Sequence, residues 1–437
     1  MLDKNLTSNQ APAQSYWQTT TEQLTFSQLS GSNNDDVVII GGGYTGLSCA
    51  IHLAKQGIKN ISLIEANTIG WGCSGRNAGF VLPGSGRLSY QQLVSRFGQN
   101  NATKLHHDYL AAIDLVESLN QETHKGIDRC EQGYLKLAHS SKWLTKLQHS
   151  ADYLAREFDY DVEFIDKQRL KNDFVDHQNA AGAIRYRNGF GINPLKLVNS
   201  YALYAQSLGV KIFDHSAVSH IESTNSGHII ATDSGQIKTD KLVVATNGYT
   251  TSGLGSPLSN KILPVLTNVI VTRPLTSNEL KDSNFKTHQV MMDTRELKYY
   301  YRLLPDNRLL FGGRGAISGK DANHPVYQQR LLNEIKRSFV GLNDIKVDYN
   351  WIGWIAVSYD QMPHIYKTDN NIYYASGYCG SGVSFSAFAG KQLADYISQG
   401  DIDSPLKTDL PKFPFAPLRR VGQRLFYQYG RVKDILS

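Results

Sequence analysis

Three glycines followed at a distance by a glutamate are the residues of this chain whose spacing points most directly to chemistry. Gly41, Gly43 and Gly46 come after an apolar, β-branched run at 37–40, and Glu65 stands 19 residues beyond Gly46. In a βαβ unit the first glycine permits a tight turn, the second lets the backbone approach a pyrophosphate, and the third lets helix and strand pack closely. The acid can hydrogen-bond ribose hydroxyls. This spacing predicts a site for an adenine dinucleotide.

The elements that must position this loop are also in the sequence. The run at 37–40 predicts a strand of a parallel sheet that is covered on both faces. Apolar residues then recur at helical spacing, and a second apolar strand leads to Glu65. The helix N-terminus offers amide hydrogens and the positive end of its dipole to phosphates. An ordinary βαβ turn is the alternative, but the combination of strand, glycine loop, helix and acid favours the dinucleotide site. No arginine stands beside Glu65 to bind a 2′-phosphate.

Two further glycine-rich segments lie far apart in the chain. Residues 70–79 read GWGCSGRNAG, and residues 377–382 read GYCGSG at the predicted start of a late helix. Each alone is equally consistent with a plain turn. FAD is long enough to be contacted by an early loop and by a late helix start, and a helix N-terminus suits the negative charge of a reduced flavin. Together the segments favour FAD.

These and other stretches resemble a known family. The chain is similar to the D-amino-acid-oxidase, glycine-oxidase and sarcosine-oxidase superfamily of FAD-dependent amine oxidoreductases, and within it to the gamma-glutamylputrescine oxidases. The resemblance covers nearly the whole chain in the expected order, and SGRNAG and ATNGYT are its most specific motifs. The matching stretches are SYW at 15–17, VVIIGGGYTGLS at 37–48, GCSGRNAG at 72–79, NPLKL at 193–197, VVATNGYT at 243–250, YYRLLPDNRLLFGG at 300–313 and the segment from Trp351 through GYCGSGV to the tail.

The resemblance implies an FAD site built from several of these segments. The residues it implies at the cofactor are Gly41, Gly43, Tyr44, Thr45, Gly46, Glu65, Ala66, Gly72, Cys73, Ser74, Gly75, Arg76, Asn77, Ala78, Gly79, Val218, Thr246, Asn247, Gly248, Gly377, Gly380, Ser381, Gly382 and Val383. Relatives often carry histidine at the positions of Ser381 and Asn193, and these changes would affect the substrate rather than the cofactor. Relatives with a histidyl flavin link have histidine in place of Arg76, and residues 354–360 lack the cysteine of another branch, so noncovalent FAD is expected.

Candidate catalytic residues lie in a predicted hairpin. Two strands flank the PDN turn at 305–307, and alternation places Tyr300 and Arg302 on one face and Tyr301 on the other. Arg302 is expected either to clamp a substrate carboxylate or to form an ion pair on the sheet surface. A second hypothesis is an aromatic wall for an amine, with ordinary core as its alternative. Its members would be Tyr299, Tyr301, Trp351 and Trp354.

The resemblance implies that the protein oxidises an amine or amino acid. A gamma-glutamyl amine such as gamma-glutamylputrescine is one candidate substrate. Hydride would pass from the α-carbon to the flavin, the imine would hydrolyse, and O2 would be reduced to H2O2. Leu310 stands where the sarcosine-oxidase branch carries a lysine, so a dehydrogenase that passes electrons to another acceptor stays open. A non-catalytic flavin-binding partner protein is the third hypothesis.

Composition limits the other possibilities. The net charge is +6 over 437 residues, and segment 411–437 holds six lysines and arginines against Asp434 alone, so a basic nucleic-acid-binding body is not expected. Scattered cysteines, histidines without ligand spacing and an N-terminus without an apolar centre predict a cytoplasmic protein with no metal. The tail shows apolar residues at helical spacing between arginines. It is expected either to dock on its own domain or to contact an anionic membrane or an acidic partner.

The predicted architecture is of the α/β (α+β) class. It combines a Rossmann-like FAD-binding domain with a parallel central sheet and an antiparallel-sheet substrate domain. The FAD-binding domain is expected to be discontinuous, over residues 31–85, 175–250 and 350–405. The substrate domain is expected at 86–174 and 251–349, followed by a basic C-terminal tail at 406–437.

Overall fold

The computed structural model describes residues 13–224, 227–250, 254 and 258–436. The helices in this part of the chain are α1 (Tyr16–Thr19), α2 (Tyr44–Lys55), α3 (Tyr90–Thr123), α4 (Ser141–Phe158), α5 (Lys167–Asp173), α6 (Pro194–Ser207), α7 (Ser277–Ser283), α8 (Pro325–Ser338), α9 (Gly382–Gln399) and α10 (Arg419–Leu436). The strands are β1 (Gly31–Ile40), β2 (Ile61–Ile64), β3 (Phe80–Val81), β4 (Tyr134–Ala138), β5 (Val162–Asp166), β6 (Gly182–Tyr186), β7 (Phe190–Gly191), β8 (Lys211–Phe213), β9 (Val218–Thr224), β10 (Gly227–Thr232), β11 (Gly235–Val244), β12 (Ile262–Pro274), β13 (Val290–Asp293), β14 (Tyr300–Leu303), β15 (Arg308–Arg314), β16 (Val347–Ser358), β17 (His364–Lys367) and β18 (Ile372–Ser376).

The first sheet carries the βαβ unit. Its strand order is β17–β18–β11–β1–β2–β8, with the β9–β10 hairpin added beside β11. Strand β1 pairs in parallel with β2 and β11, so Ile39 lies between Leu63 and Val243. Helices α2 and α9 pack closely together and contact this sheet. Residues 37–40 are buried, which is why this segment is apolar and β-branched. The predicted parallel central sheet is confirmed.

The second sheet has the strand order β16–β12–β15–β14–β13–β4–β6–β5. Its neighbouring strands run antiparallel, except that β13 and β4 are parallel. Strands β14 and β15 form the predicted hairpin around the PDN turn, with Arg302 opposite Leu310. One face of the sheet packs on a core to which α8 contributes Leu331 and Ile335. The predicted α/β class with two kinds of sheet is therefore confirmed.

Two predicted segment boundaries differ from the strand pairing. Strand β6 lies within 175–250 and most of β16 lies within 350–405, yet both belong to the second sheet. Strand β6 pairs with β4 and β5, and β16 pairs with β12 along almost its full length. These partners are distant in sequence, and an alternating apolar pattern does not specify which strand a segment will join.

Both ends of the described chain are docked. Trp17 is buried, and its Nε1 donates to the carbonyl oxygen of Asn77 at 2.9 Å. At the other end, α10 buries Gln423, Tyr427 and Gly430. Gly430 is required there because a Cβ would lie 2.9 Å from the Leu297 side chain. No helix in the described ranges is long and apolar enough to cross a membrane.

Candidate functional site

The glycine loop has the conformation that a dinucleotide turn requires. Gly41 has φ 117°, and a Cβ there would lie 2.9 Å from the Ala245 carbonyl oxygen. A Cβ on Gly46 would clash with the carbonyl oxygen of Gly41. The Gly41 amide donates to the Ile64 carbonyl oxygen at 2.9 Å, which ties the turn to β2. Glycine is therefore needed for the turn at 41 and for helix–strand packing at 46.

The start of α2 faces open space that suits phosphate. Gly43 is the N-cap, and the first turn carries no acidic side chain. The amides of a first helical turn have no partners within the helix, so they and the helix dipole favour an anion. The side chains around this turn are fixed from neighbouring segments. Ser74 Oγ accepts from the Tyr44 amide at 3.1 Å, and Thr45 Oγ1 lies 2.7 Å from the Tyr378 hydroxyl.

Glu65 is held in one orientation at the end of β2. Its two carboxylate oxygens accept from the Gly42 amide at 2.8 Å and from the Asn67 amide at 3.0 Å. Burial raises the pKa of Glu65, and the two amides oppose that rise. The carboxylate still has lone pairs for further donors. Its position beside the glycine loop fits an acid that binds ribose hydroxyls.

One cleft joins these parts. The expected cofactor residues that line it are Gly41, Gly43, Tyr44, Thr45, Glu65, Ala66, Gly72, Cys73, Ser74, Asn77, Val218, Thr246, Asn247, Gly380, Gly382 and Val383. Val218 is brought to Glu65 because the Ser216 amide donates to the Glu65 carbonyl oxygen at 2.9 Å. The set of an acid, a glycine loop and a helix start around one cleft fits FAD.

Other expected cofactor residues support the cleft without lining it. They are Gly46, Gly75, Arg76, Ala78, Gly79, Gly248, Gly377 and Ser381. The Arg76 guanidinium donates from Nε to the Trp71 carbonyl oxygen at 2.8 Å and lies 4.7 Å from the Trp71 ring. It therefore holds its own loop rather than pointing into the cleft. Ser381 Oγ donates to the Tyr378 carbonyl oxygen at 3.0 Å.

Asn193 has a structural role in this chain. It is the N-cap of α6, and its Oδ1 accepts from the amides of Leu195 and Lys196. Its Nδ2 donates to Thr20 and Asp128. A fully buried cap with all its polar atoms in use is not available to a substrate. The expectation that this position changes the substrate is not supported by its surroundings.

Several lining residues were missed by the sequence reasoning. They include Gly42, Asn67, Trp71, Ser216, Tyr249, Leu254, Ile355, Ala356, Tyr378, Cys379 and Ser386. Gly42, Trp71, Tyr378 and Cys379 lie inside the glycine-rich segments, so the motifs could have identified them. Ile355 and Ala356 belong to β16 and carry no such signal. They reach the cleft only through the pairing of β16 with β12.

The three expected catalytic residues do not share one site. Tyr300 and Arg302 lie on the face of β14 that is turned toward the part of the molecule with the first sheet and the cleft, which we call the cleft domain. Phe80 contacts both residues there. Tyr301 lies on the opposite face, stacked on Phe311 at 5.2 Å. Alternation along the strand is the reason. The expectation that Tyr301 is catalytic is corrected, because its ring belongs to the second core.

Arg302 is neither a surface ion pair nor an open clamp. Its side chain is 1% exposed, its Nη2 donates to the Ile192 carbonyl oxygen, and its guanidinium lies 5.4 Å from the Trp17 ring. Burial lowers its pKa. No carboxylate in the described residues forms an ion pair with it. Its Nε has no hydrogen-bond partner among the described residues.

Of the two alternatives for the strand aromatic residues, the structure supports ordinary core rather than an aromatic wall. Trp351 packs in the first core, and its Nε1 donates to the Arg76 carbonyl oxygen at 2.8 Å. Trp354 lies in a separate cluster with Leu266, under the Arg420 guanidinium. The two residues are three positions apart on β16 and face opposite sides. The Tyr299 ring lies 5.4 Å from the Phe311 ring, tilted to it, on the face away from Tyr300.

The comparisons with known proteins identify the class that this fold and cleft define. The model of the DAO family, described as FAD dependent oxidoreductase, matches residues 36–396. The chain therefore belongs to this family of FAD-dependent oxidoreductases. FAD is its cofactor, and the resemblance found in the sequence is confirmed.

Individual relatives act on amines and amino acids. Gamma-glutamylputrescine oxidoreductase of Escherichia coli (strain K12) is 31% identical over 392 residues, which cover 89% of this chain and 90% of that protein. Glycine oxidase of Bacillus subtilis (strain 168) is 23% identical and covers 84% and 94%. Among solved structures, glycine oxidase from Geobacillus kaustophilus has a TM-score of 0.71 at 20% identity, covering 87% and 100%. L-proline dehydrogenase from P. horikoshii has a TM-score of 0.70 at 19% identity, covering 86% and 96%.

Proposed function

We propose that this enzyme oxidises the C–N bond of a small amine that also carries an acidic group, such as a gamma-glutamyl amine. When bound, FAD would supply the oxidising chemistry, which is the removal of a hydride from the carbon next to nitrogen. The resulting imine adds water and breaks into a carbonyl compound and a released amine. Molecular oxygen then takes the two electrons with two protons and leaves as hydrogen peroxide. The relatives named above support an amine or amino acid as the substrate.

The observation that carries this proposal is the loop at 70–80. On one side its Cys73, Ser74 and Asn77 line the cleft. On the other side its Phe80 ring lies edge-on to Tyr300 at 5.9 Å. A substrate between this loop and β14 would be close to both the cofactor cleft and the second sheet. Such a position excludes water and fixes the reacting carbon, which amine oxidation needs more than acid–base groups.

The residues around this position favour a neutral amine. A hydride leaves readily only when the nitrogen lone pair is free, so the ammonium ion must lose a proton first. The buried Arg302 guanidinium on the same face disfavours a second positive charge nearby. Burial raises the pKa of Tyr300 to about 12. Its hydroxyl therefore stays protonated at neutral pH and can donate a hydrogen bond that orients the substrate.

We propose that FAD is held without a covalent bond. The residue at the position of the histidyl link is Arg76, whose guanidinium is occupied by Trp71. Burial raises the pKa of Cys73 to about 11 and also raises that of Cys379. Both thiols are therefore protonated at neutral pH, and thiols are poor nucleophiles in that form.

All four cysteines are free, which supports a reducing compartment such as the cytoplasm.

Oxygen is the proposed acceptor, with another electron carrier as the alternative. Leu310, which stands where one branch of relatives has a lysine, is fully buried. An oxidase and a dehydrogenase are both among the proteins of similar fold.

The test is anaerobic mixing of the purified flavoprotein with candidate amines. Loss of the flavin absorbance at about 450 nm reports substrate oxidation. Gamma-glutamylputrescine is expected to bleach the flavin faster than putrescine, because only the former carries a carboxylate. Admission of air is expected to restore the colour with one peroxide per turnover. No bleaching with gamma-glutamyl amines, polyamines, N-methyl amino acids or simple amino acids would contradict the proposal and favour a non-catalytic flavin-binding protein.

We also propose that the outer face of α10 rests on an anionic membrane surface. The face docked on the protein contains Gln423 and Tyr427. The opposite side of the helix carries apolar side chains that are 49–79% exposed. They are Val421, Leu425, Val432 and Leu436. Arg424 and Arg431 are exposed beside this stripe. An apolar stripe flanked by cations is typical of a helix that lies in the interface of an anionic bilayer.

A further inference from the structure

Four cationic side chains gather beside Tyr300. Lys136 on β4 pairs with Met292 on β13, and Met292 pairs with Tyr300 on β14. Paired residues project from the same face of a sheet, so Lys136 and Tyr300 share the face turned toward the cleft domain. Arg314 ends β15, one strand further on, and Lys298 lies in the loop between β13 and β14. Arg87 follows β3. We call Arg87, Lys136, Lys298 and Arg314 the cation cluster.

The cation cluster lies next to the cleft. Gly86, the neighbour of Arg87, packs so closely on the late glycine segment that a Cβ would lie 3.0 Å from the Ser381 amide. The Cys379 carbonyl oxygen would be 3.5 Å from the same Cβ. Cys379 lines the cleft. The cluster is therefore placed between the second sheet and the part of the cleft formed by the start of α9.

These cations are poorly neutralised by the protein. Lys136, Lys298 and Arg314 form no ion pair or hydrogen bond through their side chains with the described residues. Arg87 lies 4.0 Å from Glu296, a carboxylate that Lys433 approaches more closely, at 2.8 Å. The nearby Asp293 is already paired with Arg295 at 3.1 Å. All four cations are half-buried. Holding unpaired charge partly out of water is costly, and an anion supplied from outside would offset that cost.

The charges also perturb one another. Burial, together with the charges of Lys136, Arg87 and Arg314, lowers the pKa of Lys298 to about 7. Burial lowers the pKa of Lys136 as well. A bound carboxylate would stabilise the protonated form of both lysines. Anion binding would therefore weaken as pH rises through the pKa of Lys298.

We propose that the cation cluster binds a carboxylate of the substrate at a distance from the reacting amine. The substrate class is then an amine whose carbon chain ends in a carboxylate. This inference rests on the proposed function. Lys298 and Lys136, rather than Arg302, would then bind the substrate carboxylate, because Arg302 is enclosed by Trp17 and Ile192.

The probe is glutarate, a dicarboxylate without an amine, titrated into the FAD-loaded enzyme. Binding is followed by calorimetry and by the shift of the flavin spectrum. We expect Lys298→Met and Lys136→Met each to weaken glutarate binding by at least about tenfold, or about 1.4 kcal/mol. Lys142→Met, which removes an exposed lysine on α4, is the matched control and should bind glutarate like the unaltered enzyme.

A pH series separates a charge role from a merely structural one. Glutarate affinity of the unaltered enzyme is expected to fall between pH 6 and pH 8, where Lys298 loses its proton. The same fall should be absent in Lys298→Met. Retained glutarate affinity in both cluster variants, or no glutarate binding by the unaltered enzyme, would overturn the inference. If glutarate binds as expected while no amine bleaches the flavin, the cluster stands and the proposed oxidation fails.

Discussion

At the scale of single residues, Gly46 shows how closely α2 approaches its own turn. The position lacks space for one methyl group because the Gly41 carbonyl oxygen lies against it. Gly422 in α10 is the opposite case, because a methyl group added there would have nothing within 4 Å of it. These two helical glycines therefore make a matched pair for measuring what the loop requires.

We expect Gly46→Ala to lower the free energy of unfolding by ~1–3 kcal/mol through overpacking and to release FAD. Gly422→Ala should instead raise the free energy of unfolding by about 0.8–1 kcal/mol, because alanine favours a helix interior. Denaturant titration and the ratio of bound flavin to protein measure both effects. Full FAD content in a stable Gly46→Ala variant would show that the turn tolerates a side chain.

At the scale of elements, α10 unites the two interpretations of the tail that the sequence left open. One face is docked through Gln423 and Tyr427, while the other remains exposed and apolar. The sequence pattern alone identified an amphipathic helix but could not say which face would dock. The docked face is the more polar one, since Asp434 accepts from the Glu296 and Leu297 amides at 2.6 and 3.1 Å.

Vesicle sedimentation tests the exposed face of α10. We expect the protein to bind vesicles of mixed phosphatidylserine and phosphatidylcholine, and to bind pure phosphatidylcholine much more weakly. Arg424→Gln with Arg431→Gln should lower this binding about 30-fold, since each basic residue near an anionic surface contributes about 1 kcal/mol. Arg187→Gln, at an exposed position just after β6, removes one positive charge outside α10 and is the control. Equal binding to both vesicle types would contradict the membrane proposal, and self-association without vesicle binding would point to a second copy of the chain.

The sequence predicts those parts of the fold and site whose interacting residues are close together along the chain. The βαβ unit with Glu65 spans about 30 residues, so its strand, turn and helix signals are local and were readable. The cation cluster was not readable, since Lys136 and Lys298 are adjacent only because β4 pairs with β13. The burial of Arg302 could not be predicted from the sequence either. Its cover comes from Trp17, near the other end of the described chain.

At the scale of the whole molecule, the loop at 70–80 links the two sheets. Its Arg76 carbonyl oxygen accepts from Trp351 of the second sheet, and its Ser74 hydroxyl accepts from Tyr44 at the start of α2. A ligand that orders this loop should therefore steady both sheets. The stabilisation follows mass action and reaches about 2.7 kcal/mol when free FAD is 100 times its dissociation constant.

We expect FAD added to the apoprotein to raise the melting temperature and to slow amide exchange in β12 and β16 as well as in β1 and β2. Hydrogen exchange read by mass spectrometry resolves these strands. Helix α4, which contributes no residue to the cleft, is the internal control and should change little. Protection confined to the first sheet would show that the loop does not couple the sheets.

The contact between Asp434 and the backbone at 296–297 has a consequence for allostery. That backbone leads directly to Lys298, so the Asp434 contact from α10 holds one charge of the cation cluster in place. If α10 moved away from the protein, the position of the Lys298 side chain would be less fixed. Membrane attachment that displaced α10 would therefore change substrate selectivity. Asp434→Asn, which keeps the shape of the side chain, should weaken glutarate binding without changing FAD content, and unchanged glutarate affinity would disprove this link.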